Sequence, residues 1–104
     1  MIAENAAEVA LNELQQTDDK AAVLKGAVET QLYILKKIRA YEFLQQSGSV
    51  EARKSSVEQT GAVAKAADDY HAALVEFEKL SNKRKSLVLT IDIWRSTNAN
   101  KRMG

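Results

Sequence analysis

The 104-residue chain has no cysteine and no proline, one histidine, four glycines and only 6% aromatic residues. Without cysteine there are no disulfides, no thiolate nucleophiles and no Cys-based zinc sites. One histidine excludes any site that takes two imidazoles from a single chain. The scarcity of aromatics argues against a large globular core, yet 45% hydrophobic residues are too many for disorder. Absent proline, with abundant Ala, Glu, Lys, Gln and Leu, leaves nothing to interrupt long helices. Apolar runs such as Leu87-Val88-Leu89 fall far short of the ~20 residues of a membrane span. The opening Met1-Ile2-Ala3-Glu4-Asn5 lacks the basic and hydrophobic regions of a signal peptide, so the expected location is the cytoplasm.

What is present is charge, and it is unevenly placed. A formal net charge of +1 hides segments of −4 (1–31), +2 (32–60), −3 (61–78) and +6 (79–104). The chain is too short for more than one domain of ordinary size, so residues 1–104 are expected to form a single helical domain.

Hydrophobic spacing predicts helices over about 3–16, 18–46, 50–57 and 61–98. The first carries Ile2, Ala6, Val9, Ala10 and Leu14 on one stripe. Thr17-Asp18-Asp19 reads either as an N-cap that opens a second helix or as the exposed face of one uninterrupted helix. Leu24, Val28, Leu32, Leu35, Ile38 and Tyr41 are expected to face inward. Gln46-Ser47-Gly48-Ser49 is the clearest break, with Ser49 placed to cap a short helix, and Gln59-Thr60-Gly61 is a weaker one.

The last segment has the strongest pattern. Spacings of four and three alternate through Ala66, Tyr70, Ala73, Phe77, Leu80, Arg84, Leu87, Ile91, Trp94 and Asn98, a coiled-coil seam of more than four heptads. Arg84 and Asn98 are its polar members, and such residues fix register more than they add stability. The expected fold is therefore all-α: a long antiparallel, coiled-coil-like helical hairpin with a short helix at its tip. Folding about residue 53 sets position n beside roughly 106 − n. Lys36, Lys37 and Arg39 then approach Asp68 and Asp69, and the acids of 4–19 approach the basic stretch beyond Lys83. Two helices leave one flank of each wet, and Val63, Ala67, Leu74 and Val88 form a second stripe, widened by Leu89 and Ile93. That surface predicts assembly into an oligomeric helical bundle.

No residue set announces a reaction. Asp68 and His71 share a helix face, but helical di-metal sites need several carboxylates and two Glu-x-x-His pairs. The four glycines are isolated, so no phosphate-cradling loop exists, and the serines have no base beside them. The expected protein is not an enzyme and has no cofactor or metal. Lys79, Lys83, Arg84 and Lys85, continued by Arg95, Lys101 and Arg102, supply cations for phosphate contacts, with Trp94 available for stacking. Tyr70, Ala73, Phe77, Leu80, Leu87, Ile91 and Trp94 form the packing and oligomer seam.

Over Arg39 to Arg102 the chain resembles small uncharacterised helical proteins of tailed bacteriophages. The similarity lies in Ala40-Tyr41-Glu42-Phe43-Leu44, in Ser47-Gly48-Ser49-Val50-Glu51-Ala52-Arg53-Lys54, and in the ending Ile91-Asp92-Ile93-Trp94-Arg95-Ser96-Thr97-Asn98-Ala99-Asn100-Lys101-Arg102. Such proteins are similar in size and helical layout to phage recombination mediators of the UvsY type, oligomers that bind single-stranded DNA and assist a recombinase. The resemblance does not reach the acidic first 31 residues and transfers no catalytic residue. It implies a self-associating phage accessory protein in the host cytoplasm that binds single-stranded DNA or a recombination or replication partner. The alternatives are an inhibitor or adaptor directed at a host or defence protein, and a structural coiled-coil subunit of a larger assembly.

Overall fold

The structure, a computed structural model, describes residues 3–103, with side chains through residue 101. It is all-helical: α1 (Glu4–Gln45), α2 (Val50–Val57) and α3 (Gly61–Met103). The chain divides into two compact units. One joins α1 as far as Val23 with α3 from Glu78 onward, and the other comprises Leu24–Phe77.

α1 passes through Thr17-Asp18-Asp19 without a break. The Thr17 hydroxyl donates to the Glu13 carbonyl at 2.7 Å, the back-bonding of a mid-helix threonine rather than the forward bond of a cap. The 3–16 and 18–46 segments are thus one helix. The break after Gln45 is local and chemical. Gly48 takes φ +103°, a left-handed conformation that a Cβ disfavours. Ser49 then accepts the Ala52 N–H at 3.2 Å and caps α2. Thr60 does the same for α3, accepting the Val63 N–H at 3.3 Å while its own hydroxyl donates to the Val57 carbonyl.

On α1 the least exposed side chains follow alternating three- and four-residue spacing: Ala7, Ala10, Leu14, Thr17, Ala21, Leu24, Val28, Gln31, Leu35 and Ile38. On α3 the stripe from Ala66 to Asn98 is buried or half-buried at every member, as its heptads require. Ala6 and Val9 lie on the solvent side of α1, and so does Tyr41. Ile2, expected beside Ala6, lies outside the described residues. In the first unit Thr17 meets Arg84, and Ala7 and Trp94 line one groove. In the second, Leu35, Val57, Val63 and Ala66 form a buried cluster against which Ile38, Phe43, Ala67 and Tyr70 pack. Val63 and Ala67 belong to this core and not to an outer stripe, Leu74 is half-buried, and Val88 alone of that stripe is exposed.

These contacts match position n to about 101 − n, a shift from the expected 106 − n. Lys36, Lys37 and Arg39 accordingly miss Asp68 and Asp69. Arg39 pairs with Glu58 at 2.8 Å, Asp69 pairs with Lys65 at 2.7 Å along its own helix, and Lys37 lies over the Tyr33 ring at 5.1 Å. The cause is the asymmetry of the turn. At this register α1 runs more than one turn past the level of Gly61, and α2 closes around that overhang. Val57 enters the core, and the Arg53 guanidinium lies over the Phe43 ring at 5.6 Å.

Candidate interaction surfaces

The basic residues of α3 divide by what holds them. Arg84 sits in the stripe with its side chain only 23% exposed. Its Nη1 donates to the Leu14 carbonyl at 2.8 Å and to Thr17 Oγ1 at 2.6 Å, and its Nη2 donates to Asp18 Oδ1. Lys83 reaches Glu13 Oε2 at 3.6 Å. The acidic part of α1 therefore does meet the basic part of α3, and two expected phosphate ligands are already committed. Lys79 is exposed and also engaged. Lys85, Arg95 and Lys101 are exposed and have no ion-pair partner among the described residues. The Arg102 side chain lies outside the described residues. Helical geometry sets Lys85 and Arg95 on one side of α3 and turns Lys101 away from both, so the three cations do not line one face.

The seam residues behave as packing residues. Tyr70 packs on the buried cluster, and Ala73, Phe77, Leu80, Leu87, Ile91 and Trp94 are all half-buried. Large apolar side chains outside the seam remain in solvent, and they are not scattered. On α1, Ala27, Thr30, Ile34, Lys37, Tyr41 and Leu44 repeat the three-and-four spacing on a face turned away from α3, with Tyr41 63% and Leu44 76% exposed. The sequence carried this signal openly, but Tyr41 is assigned to the inner stripe if the helix phase is set by leucines alone. On α3, Val88, Leu89 and Ile93 are exposed, in accord with the outer apolar surface expected there.

One groove opens beside the seam of the first unit. It has a volume of about 210 Å³ and is lined by Ala7, Leu11, Ile91 and Trp94 between Glu4 and Glu8 on one wall and Arg95 on the other. Its floor is apolar, and the charges stand at its rim. The rim carboxylates fall on α1 because Glu4, Glu8 and Leu11 follow one another at helical spacing, as do Val88, Asp92 and Arg95 on α3.

Among the described residues no group of three or more His, Asp or Glu side chains is placed to hold a metal ion. Asp69 is bound to Lys65, and His71 is exposed. No helix of the described residues is long and apolar enough to cross a membrane. Comparison with protein-family models, curated proteins and solved structures finds no match to this chain.

Proposed function

We propose that this chain works by association rather than by catalysis: copies assemble through apolar side chains that each leaves in solvent, and the assembly binds the partner. One observation supports this reading above the others. Among the described residues six hydrophobic side chains are buried, three of them alanines, while eleven large hydrophobic ones are exposed. A helix pair with that balance gains more by meeting another copy than by standing alone. Static light scattering across micromolar concentrations tests it: a mass rising above 11.5 kDa is expected, and a monomer throughout refutes it.

For the partner, single-stranded DNA is the reading that the exposed cations favour, in a phage recombination or replication accessory of the kind the resemblance implies. Lys101 on each copy is available for phosphates, and assembly multiplies weak contacts through effective concentration. Binding of a labelled oligonucleotide at two salt concentrations is expected to weaken steeply with salt, and further in a Lys101→Glu variant. No binding at low salt would transfer the role to a protein partner, as an adaptor or inhibitor.

A further inference from the structure

We infer that the groove face of the first unit is where a second copy of this chain docks, around a two-fold axis that runs along the helices. The inference rests on the association reading and specifies its surface. Across this face α1 presents Glu4, Glu8, Leu11 and Gln15 at four- and three-residue spacing, and α3 presents Lys85, Val88, Asp92 and Arg95 in the same way. The α1 row is acidic and the α3 row is net basic, with Leu11 and Val88 exposed between the charged ends. A two-fold axis lying between two such faces sets α1 of each copy on α3 of the other at the same level. An acidic row then meets a basic row twice, which is what a self-complementary contact requires.

In that arrangement Glu4 faces Arg95 of the second copy, Leu11 faces Val88, and the apolar floor formed by Ala7, Ile91 and Trp94 is covered. The pairing uses charges that no other ion pair among the described residues claims. It also contains one flaw, because Glu8 comes opposite Asp92 as a like-charged pair. The Ile34, Tyr41 and Leu44 stripe offers no comparable complement. Its only charge is Lys37, so two copies meeting there would face cation to cation.

Charge reversal with complementation tests the proposal. Glu4→Lys and Arg95→Glu, each alone, are expected to weaken self-association about tenfold in sedimentation equilibrium, since each turns two attractions into two repulsions. An equimolar mixture of the two variants restores opposite charges at both contacts, so it is expected to assemble as a heterodimer. Asp92→Lys removes the flaw and strengthens assembly. All three positions are exposed, so each variant is expected to keep its helices, with far-UV circular dichroism as the control. If the single variants assemble as the wild type does, or if their mixture stays dissociated, this face is not the contact while association itself stands. If the wild-type chain is monomeric at every concentration, the proposal and the association reading fall together.

Discussion

Arg84 occupies a stripe position whose nearest neighbours along the stripe, Leu80 and Leu87, are apolar. Its guanidinium is satisfied by a backbone carbonyl, a hydroxyl and a carboxylate of α1. Truncation to alanine removes all three bonds and leaves Leu14 and Thr17 without their partner, at a cost of about 1–3 kcal/mol in urea denaturation. Arg84→Leu is expected to behave differently. It makes the stripe continuous and keeps or raises stability, but removes the contact that identifies one register among heptad-related ones. Cysteines placed at 10 and 91 should then lose exclusivity, with an Ala10→Cys, Asn98→Cys pair also cross-linking. Exclusive 10–91 cross-linking in the leucine variant would assign register to other residues.

Lys65 supplies a second residue-scale prediction. Its hydrogen bond to Asp69, reinforced by the attraction of the carboxylate, raises its pKa above the ordinary 10.5. A folded-state pKa raised above the unfolded value stabilises fully below the unfolded value, and that contribution fades as pH rises through the raised one. The Lys65 side-chain resonances are therefore expected to titrate later than ordinary lysines in an alkaline NMR series. Asp69→Asn should return them to the ordinary range. The side chain is fully exposed, so the measurable consequence is the titration rather than the stability.

At the scale of the element, α2 depends on its ends. Eight residues are too few for a helix to persist on propensity alone, and the short helix is held by its cap and by Val57 in the core. Ser49→Ala is expected to cost about 1 kcal/mol through loss of the bond to the Ala52 N–H. Gly48→Ala has room for its Cβ, which would meet Ala52 Cβ at 3.5 Å, so its cost of about 1–2 kcal/mol comes from φ +103°. Thermal denaturation of the two variants would check both values.

The elements also show what could be read without coordinates. The α3 stripe was legible because Tyr70, Phe77, Leu80, Leu87, Ile91 and Trp94 are large, and each fixes the phase by itself. The start of α1 was not, because Ala6, Ala7 and Ala10 have the same side chain and Val9 outweighs them in hydropathy. Thr17 resembles a cap in composition, and only its bond back to Glu13 distinguishes the two roles. Pairing between elements was half legible. The attraction of the acidic α1 segment for Lys83 and Arg84 was visible in charge alone. The register was not, since opposite charges tolerate a shift of several residues and the overhang of α1 depends on where α2 packs.

On the scale of the whole molecule, the proposed association would tie stability to protein concentration. If copies meet only when folded, mass action stabilises the native state, and the midpoint of thermal unfolding should rise with protein concentration. A tenfold increase in concentration is expected to move it upward, and the charge-reversed single variants should show little of this dependence. A midpoint that stays constant over a hundredfold range would separate folding from assembly. The candidate surface itself was only partly legible: outer apolar residues of α3 were named from sequence, whereas the groove needed Glu4, Glu8 and Arg95 brought to one rim by two different helices.

Trp94 is the only tryptophan in the chain, and it lines that groove while half of its neighbours along α3 stand in solvent. The indole fluorescence of this protein therefore has a single origin, and that origin is the groove. Its emission colour and its access to a collisional quencher follow one surface without any label, so the proposed docking there is expected to register in dilute solution as a blue shift.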